Sequence, residues 1–592
     1  MEKQNLLSMN DPKNNVVKIA VAALCGLVAF VAGFFILKAL MPKDVDNAPL
    51  SYIAVQEKAG KSWSIMDANG NIVVNEEYSD EDEISLVSAD GAYWVKSHKS
   101  SKYNLFSVES PDKPLTDVDY DNVTRFFGDI AYASVLGEPI VVVNTSGEVV
   151  ATLPREVRGV SYYSVDNDRA CFEGKDGLYG FIDGDGEIVI EPKYTVAGYF
   201  NDGVAVVTAD SLDEAEEGLE YSIIDTDGKV WGTIEAEKYE ITGVYTEDLM
   251  PVQLKDDEEG LVYLDKKGQV AIDLSRKYNS GAPFIDGYAV VENEDGECCV
   301  INKDGETFIR LGKYEGLYNI GDGLFLAEKN DDTGIINVED ETIVDFKYDE
   351  GNYLSYCRIG DNFIMGRRGN SGTSYVLLNR AGEKISQFKI NDISLDLKWS
   401  SVKFIDIDEL AEKLVEGIDK EGYTSFNGKT KIADLADMYS VDVDDVSHYS
   451  SEMKLEEFEV GEFTVTLNVD AGGSYLVEEE YHYTTVNSGW YSYQRRVSDG
   501  YKWKDLDYSS LSLSVSIYDI AIGKAVSAKV GKLLEAKGFT KVDDNVYEAE
   551  NSEGYYPNVY IENGGYMFTL EFAPYPEIPY CTFDDEEDDE WY

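Results

Sequence analysis

The sequence predicts a mainly β protein with a single amino-terminal transmembrane helix, a β-propeller of about seven to nine blades, and a carboxy-terminal α+β domain. Three observations lead to this prediction. An uncharged apolar run occupies residues 19–37, and an Asx-x-x-Gly turn recurs about every 40 residues between residues 51 and 398. That recurrence then stops, and helical periodicity replaces it.

The composition is that of a globular protein with more than one domain. The chain has 592 residues, of which 43% are hydrophobic and 12% aromatic, so it can bury several cores. Its net charge is −62. A phosphate backbone would be repelled by this charge, which argues against a nucleic-acid partner.

The six cysteines indicate neither a disulfide framework nor a zinc site. Cys25 lies in the apolar run, which leaves five others, of which Cys298 and Cys299 are adjacent, and no Cys-x-x-Cys occurs. We predict no cofactor and no metal.

The apolar run at 19–37 is long enough to cross a bilayer as a helix. Its exit, Lys-Ala-Leu-Met-Pro-Lys-Asp, is a poor cleavage site, and Leu24 stands before Cys25 where a lipoprotein signal would have a small residue. We therefore predict an uncleaved, single-pass anchor in the cytoplasmic membrane. The flanking lysines weakly favour a cytoplasmic amino terminus and place the remainder in the periplasm or extracellular space.

Small residues form a stripe along this predicted helix, at Ala22, Gly26, Ala29 and Gly33. Such a stripe allows two helices to approach closely, which would support a homo-oligomer, although glycine and alanine are also common in membrane spans generally.

The repeat is recognised by its turn. Pairs of Asx and Gly three positions apart occur at Asp67/Gly70, Asn144/Gly147, Asp183/Gly186, Asp225/Gly228, Asp265/Gly268, Asn302/Gly305 and Asn379/Gly382, with a decayed copy at Asn337/Asp340. The long first step leaves room for a degenerate unit at 103–120, so the region holds nine units.

Each unit carries three clear apolar strands and room for a fourth, because a short apolar run flanks the turn on both sides. A tyrosine follows the turn in most units, at Tyr78, Tyr120, Tyr194, Tyr239, Tyr278, Tyr314 and Tyr348. A period near 40 with about four strands is typical of a propeller blade, and a β-solenoid is the alternative.

One unit resembles a known family. The stretch GLYGFIDGDGEIVIEPKYTVAGYFNDGVAVV at 177–207 is similar to the bacterial WG repeat, with Tyr179-Gly180 in the place of Trp-Gly. Other units depart from the pattern, as at Trp63-Ser64 and Thr333-Gly334. The resemblance, which covers about residues 51–398, implies a propeller-like β array with a binding role, and it supplies no catalytic residues.

The Asp-Gly-Asp-Gly of this unit is interpreted as a turn. A calcium loop of the EF-hand type needs a Glu six residues after its Gly, and Pro192 stands there. A turn needs only Asx at its start and Gly where φ is positive.

The pattern of the carboxy-terminal region predicts two helices, within 406–422 and 521–538, and several strands. Between them, residues 488–505 combine aromatic and basic side chains in a strongly acidic chain. This pattern is typical of binding hot spots, and the alternative is a structural β-hairpin with a turn at 498–500. The proposed partner-contacting residues are Trp490, Tyr491, Tyr493, Arg495, Arg496 and Trp503.

Two functions fit this sequence: a membrane-anchored binding or scaffold protein with a protein or glycan ligand, and a glycan-cleaving enzyme of the cell envelope. We favour the first, since none of the three histidines lies in a catalytic motif, although a carboxylate pair would suffice for a glycosidase. The predicted segments are a cytoplasmic stretch (1–18), the anchor (19–40), a linker (41–50), the propeller (51–398), the α+β domain (399–580) and an acidic tail (581–592).

Overall fold

The computed structural model describes residues 49–573 with internal gaps. The gaps fall at residues 59, 211–218, 256–259, 350–357, 370–371, 386–389, 391, 395–400, 420–421, 424–430, 444–445, 448, 451, 462, 471–473, 489–490, 505–509, 518, 551–557 and 564–566. The chain divides into two compact units, of which the first ends at Phe404 and the second begins at Ile405.

The first unit consists of nine consecutive antiparallel sheets, numbered 1 to 9 in chain order. Four strands that follow one another along the chain form a typical sheet, which confirms the predicted fourth strand. In sheets 1 to 5 the strands are β1 (Tyr52–Gln56), β2 (Trp63–Asp67), β3 (Ile72–Tyr78); β4 (Glu83–Ile84), β5 (Ala92–Lys96), β6 (Tyr103–Ser107); β7 (Asn122–Val123), β8 (Ile130–Ser134), β9 (Val141–Asn144), β10 (Val149–Thr152); β11 (Val157–Ser164), β12 (Arg169–Gly174), β13 (Tyr179–Ile182), β14 (Ile188–Tyr194); β15 (Val196–Ala197), β16 (Val204–Thr208), β17 (Glu220–Asp225) and β18 (Val230–Glu235).

Sheets 6 to 9 repeat the arrangement. Their strands are β19 (Tyr239–Ile241), β20 (Leu249–Leu254), β21 (Leu261–Asp265), β22 (Val270–Asp273); β23 (Ser280–Gly281), β24 (Tyr288–Glu292), β25 (Cys298–Asn302), β26 (Thr307–Ile309); β27 (Gly316–Gly321), β28 (Leu324–Lys329), β29 (Asp332–Asn337), β30 (Thr342–Asp349); β31 (Arg358–Ile359), β32 (Asn362–Gly369) and β33 (Gly372–Leu378). Two further strands extend these sheets: β34 (Asp392–Ser394) belongs to sheet 1, and β35 (Ser401–Lys403) belongs to sheet 4.

The recurring Asx residues form the predicted turns between the third and fourth strands. In each, the side-chain oxygen accepts a hydrogen bond from the backbone N–H four residues on, as Asp183 does from Glu187 at 2.9 Å. The same bond occurs at Asp67, Asn144, Asp225, Asp265, Asn302, Asn337 and Asn379. All seven recurring tyrosines are buried, with at most 7% of their surface exposed, so they belong to the cores between sheets.

The turn glycines have a second role that their φ angles alone do not require. Gly268 has a φ of +75°, and a Cβ atom built on it would lie 2.0 Å from the carbonyl oxygen of Thr233 in the preceding sheet. A Cβ on Gly147 would lie 2.7 Å from Leu115 O, again in the preceding sheet. These glycines therefore let successive sheets approach one another closely.

The first and last sheets are in contact. Strand β34, from the far end of the repeat region, pairs antiparallel with β1, with Val55 opposite Ile393. Ile53, Ile364 and further buried residues of sheets 1 and 9 share one apolar cluster. The side chain of Asn362 also donates a 2.7 Å hydrogen bond to the carbonyl oxygen of Ala68.

The second unit is α+β. A seven-stranded antiparallel sheet has the order β38-β39-β42-β46-β45-β44-β43, and strands β36 with β37 and β40 with β41 form two separate pairs. The helices are α1 (Ile407–Val415), α2 (Ile432–Met438) and α3 (Ile520–Ala536), and the strands are β36 (Ile418–Asp419), β37 (Gly422–Tyr423), β38 (Glu452–Val460), β39 (Phe463–Asp470), β40 (Val477–Ser488), β41 (Tyr491–Trp503), β42 (Ser510–Ser516), β43 (Thr540–Asp543), β44 (Val546–Glu548), β45 (Asn558–Asn563) and β46 (Met567–Ala573).

Both predicted helices are present, and each begins at an aspartate whose carboxylate accepts from the first-turn backbone. Asp406 accepts from Glu409 N at 3.1 Å, and Asp519 accepts from Ala521 N at 2.7 Å. Helix α2 was not predicted from the sequence, because it is only seven residues long and no side chain caps its amino terminus.

Among the described residues, no helix is long and apolar enough to cross a bilayer. The predicted span at 19–37 and its stripe of small residues lie outside the described residues, as does the acidic tail at 581–592, so these stay predictions.

Three cysteines of the repeat region are buried thiols. Burial raises the pKa of Cys171 to about 12 and that of Cys298 to about 11. Both therefore remain protonated at neutral pH and serve as small apolar core residues.

Candidate ligand-binding cavity

A cavity of about 620 Å³ lies in the repeat region where chain segments from six consecutive sheets converge. Its size is within the range of small-molecule sites, roughly 300–1,000 Å³. The lining segments are the approach to β1 and the connections that precede the second strand of sheets 2 to 6, at residues 49–51, 86–89, 125–128, 162–167, 201–202 and 245–247.

One wall of the cavity is aromatic. The rings of Phe127 and Tyr162 meet edge to face at 5.2 Å between centroids, and Phe126 stacks on Trp94 at 5.9 Å. The Arg125 guanidinium lies 5.2 Å from the centre of the Phe127 ring. Phe126 and Tyr162 are each partly buried, so part of each ring borders the cavity.

Two polar side chains on the opposite segments are buried without a hydrogen-bond partner among the described residues. Asn201 is 8% exposed and its Nδ2 donates to no described acceptor, and Thr246 Oγ1 is likewise buried without one. Both residues line the cavity. Trp63 Nε1, Trp94 Nε1 and the Tyr132 hydroxyl are buried without a described partner as well, and these three residues do not line the cavity, so such atoms are not a feature of the cavity alone.

The connections that hold these residues are tight turns with two left-handed residues. The φ angles are +51° and +83° at Asp202 and Gly203, and +51° and +70° at Glu247 and Asp248. Asp and Gly suit such a turn, whereas a left-handed Glu is uncommon and marks a constrained position.

The constraint at Glu247 is explained by a relay of hydrogen bonds between successive sheets, made at the same turn. Each turn offers a side-chain oxygen to a backbone N–H of the next turn, and Glu247 accepts from Gly287 N at 3.1 Å. In the same way, the side chain of Asn167 accepts a hydrogen bond from Gly203 N, that of Asp202 from Asp248 N, and that of Asp286 from Asp322 N. The Asp322 carboxylate then forms an ion pair with Arg358 of sheet 9.

The relay also fixes the charges beside the cavity. Lys266 lies 3.0 Å from the Asp202 carboxylate and 2.7 Å from Asp248, and Lys303 lies 3.0 Å from Glu247. Asp202 and Glu247, two of the three carboxylates that line the cavity, are therefore bound by backbone N–H groups and lysines, whereas the third, Asp166, is exposed.

We expect Lys266→Met to lower the free energy of unfolding by about 1 kcal/mol at pH 7, since Lys266 is only 15% exposed and links two sheets. The Lys266 hydrogen bond lowers the pKa of Asp248. That stabilisation is present above the unfolded aspartate pKa of about 3.9 and is lost as pH falls through the folded value. Urea unfolding at pH 7 and pH 3 measures this: the difference in unfolding free energy between variant and wild type should be smaller at pH 3 than at pH 7. The exposed neighbour Lys267→Met is the control, and an equal effect at both sites would contradict the assignment.

Tyr163 provides a further hydroxyl at the cavity edge. Its hydroxyl donates to Asp168 at 2.7 Å, and burial followed by this hydrogen bond raises the tyrosine pKa above its usual value. The phenol therefore stays neutral and cannot act as a base near pH 7.

The partner-contacting residues predicted from sequence lie elsewhere, in the second unit. Trp490 lies outside the described residues, and Tyr491, Tyr493, Arg495, Arg496 and Trp503 all belong to strand β41. Strand β41 pairs with β40 over their full length, with Arg496 opposite Tyr483. The hairpin alternative is thus correct for the backbone, and the role of these residues in binding stays a prediction.

The predicted turn at 498–500 is wrong. Ser498 and Gly500 pair with Tyr481 and Glu480, so Asp499 is the extra residue of a β-bulge within strand β41. A bulge accepts Asp-Gly because one residue is left unpaired, which in sequence looks the same as a turn. None of the residues that line the cavity was predicted as a site residue from the sequence.

Comparison with known proteins agrees with the repeat assignment. A family model, described as "WG containing repeat", matches residues 179–212, which confirms the resemblance seen at 177–207. No curated protein matches the sequence.

Similar solved structures include a eukaryotic initiation factor (10% identity, TM-score 0.41, covering 58% of this chain and 97% of that one) and BamB from Moraxella catarrhalis (15%, 0.27, 50% and 97%). The WD40 β-propeller domain of Doa1 is a third (14% identity, TM-score 0.24, covering 44% of this chain and 93% of that one). These likenesses are distant, and the propeller-like fold rests on the nine sheets themselves.

Proposed function

We propose that this WG repeat-containing protein is a membrane-anchored, non-enzymatic binding protein. Its nine sheets form a closed propeller outside the cytoplasmic membrane, and the cavity of sheets 1 to 6 is its ligand site. The observation that carries the binding role is the cavity itself, which has a volume of about 620 Å³ and is lined by segments of six consecutive sheets.

Ring closure is supported by the composition of sheet 1. Three of its strands come from the start of the repeat region, and β34 comes from its end. Building one sheet from both ends of the chain is a way to close a propeller, and it removes an open sheet edge. The apolar cluster shared by sheets 1 and 9 supports the same conclusion.

A binding role is favoured over glycan cleavage by the state of the carboxylates. Glycosidases need one carboxyl group free to donate a proton and a second free to attack or to activate water. Of the three carboxylates that line the cavity, Asp202 and Glu247 are instead engaged by backbone N–H groups and lysines, which leaves Asp166 without a second free carboxylate among the lining residues. Ligand recovered from the protein should therefore be chemically unchanged.

The anchor is proposed from residues 19–37 alone. It predicts that the full chain sediments with membranes and resists alkaline extraction, and that amino-terminal sequencing does not begin after residue 41. Full recovery in the soluble fraction would contradict the anchor without affecting the cavity.

The binding role is tested by blocking the cavity. Val165 lines it and is 51% exposed, so Val165→Trp should fill the space with little cost to folding. We expect fractions of a cell-envelope extract to raise the melting temperature of the wild-type chain and not of this variant, with mass spectrometry identifying the bound compound. Val149→Trp is the matched control, because Val149 is equally exposed, at 51%, on the outer strand β10 and away from the cavity. If no fraction acts on wild type, or if both variants respond alike, the cavity is not the site.

A further inference from the structure

We infer that the cavity is coupled to the segment that leads to the membrane anchor, so that the protein reports whether its ligand is bound. This inference goes beyond the proposed binding function and rests on it, since it takes the cavity as the ligand site and residues 19–37 as the anchor. It follows from the relay of hydrogen bonds, which begins in the wall of the cavity and returns to that wall at Leu50.

The wall of the cavity includes the segment that joins the propeller to the anchor. Pro49, Leu50 and Ser51 line the cavity. They follow residues 38–48, which connect them to the predicted span and lie outside the described residues. Eleven residues reach at most about 40 Å, so Leu50 stays within that distance of the end of the span. The ligand site and the membrane attachment therefore share one wall.

Leu50 is attached to sheet 9 at the last member of the relay. Its backbone N–H donates a 3.2 Å hydrogen bond to Arg358 O, and its carbonyl oxygen accepts a 2.7 Å bond from Gly360 N. The Arg358 side chain is only 12% exposed; it pairs with Asp322 and donates to Ile320 O at 3.0 Å. A displacement of Asp322 therefore reaches Leu50 through a single residue.

The other end of the relay lies in the cavity. Asp202 and Glu247 line it, and their side chains are 31% and 30% exposed. A ligand in the cavity can thus reach the same carboxylates that hold Asp248 N and Gly287 N. Binding to either carboxylate would change the hold of that turn on the next one.

Each turn of the relay is built to pass a displacement on. The residue whose side chain accepts from the next turn is followed directly by the residue whose N–H donates to the preceding turn. The pairs are Asp202 with Gly203, Glu247 with Asp248 and Asp286 with Gly287. All six residues are left-handed, with φ between +51° and +83°, which leaves such a turn few alternative conformations. When one bond shifts, the turn moves as a unit and carries its other bond with it.

The first test changes the cavity end of the relay and observes the anchor end, by hydrogen exchange of the full chain in detergent. Asp202→Ala removes the acceptor of Asp248 N. We expect exchange at Leu50 N to accelerate by at least about tenfold. Asp166→Ala is the matched control, because Asp166 is an exposed carboxylate of the same cavity that makes none of the relay bonds described above. It should leave exchange at Leu50 unchanged.

The second test runs in the opposite direction, since coupling between two sites is reciprocal. Arg358→Met breaks the relay at sheet 9, outside the cavity, and should accelerate exchange at Gly203 N and Asp248 N by a similar factor. Arg380→Met is the matched control: Arg380 also lies near Asp322, at 3.6 Å, but it is 51% exposed and is not the residue to which Leu50 N donates.

Gly177 N provides the reference for both tests. It donates to Gly174 O at 3.1 Å in the turn at the opposite end of sheet 4, so its exchange should not change. The inference is overturned if Asp202→Ala accelerates exchange only at Asp248, if Arg358→Met does so only at Asp322 and Leu50, or if Gly177 changes as much as the relay amides. The relay would then only hold the sheets together.

Failure of the proposed function would be seen in a different experiment. If no fraction of the envelope extract raised the melting temperature of the wild-type chain, the cavity would lose its role as a ligand site, whereas the exchange rates of the variants would still show the coupling. If the extract acted and the exchange at Leu50 did not change in Asp202→Ala, binding would stand and only the reporting role would fall.

Discussion

Gly268→Ala should lower the free energy of unfolding by about 3 kcal/mol or more, as measured by urea denaturation. The left-handed backbone, with a φ of +75°, costs an alanine about 1–2 kcal/mol. In addition, the new Cβ atom would lie 2.0 Å from Thr233 O and 3.0 Å from Thr233 C. Both are backbone atoms of sheet 5, which cannot rotate away as a side chain could, so the two sheets must separate.

Gly177→Ala separates the two causes of this loss. Gly177 has a similar φ of +72°, but a Cβ atom there would meet nothing within 4 Å. Its substitution should cost only the backbone term, about 1 kcal/mol. Equal losses at the two glycines would show that the close approach of sheets 5 and 6 contributes nothing to stability.

The sequence was sufficient to predict the turns and strands of the repeat because these depend on local chemistry. Asx at the first position and a residue with positive φ at the fourth are required by the turn itself, so every copy keeps the Asx and all but Asn337/Asp340 keep the glycine. The same turn also occurs at Asn293/Gly296, between β24 and β25. The contact of each turn glycine with the preceding sheet was not predictable, because it joins residues about 35 positions apart, as Gly268 and Thr233 are. In the sequence, a glycine that is required only by its positive φ looks the same as one that must also lie close to the preceding sheet.

The cavity was not predictable for a related reason. Its lining residues come from six sheets, and they occupy positions where the repeat tolerates different residue types, such as Asn201 in sheet 5 and Phe127 in sheet 3. A pattern search finds what the units share, whereas a ligand site in a repeat protein is made from what they do not share. The relay also escaped notice, since Glu247 and Asp286 are ordinary acidic residues among 113 in the chain until their partners are known.

Ile364→Ala should show whether the nine sheets close into a ring. Ile364 in β32 is fully buried, and it shares an apolar cluster with Ile53 and Val55 of sheet 1. The variant should lose about 3 kcal/mol, since truncating a buried isoleucine removes apolar contact and leaves a cavity. In a closed ring, hydrogen exchange should accelerate at the amides of β1 as much as at those of β32, by about a hundredfold. In an open array, sheet 1 would be eight sheets away and its exchange would not change, because each repeat then depends only on its neighbours.

Val73→Ala, at a position 39% exposed on β3, provides the baseline for a substitution outside the cluster. An unchanged β1 in the Ile364→Ala variant would therefore reject closure, even though β34 and β1 pair in the same sheet.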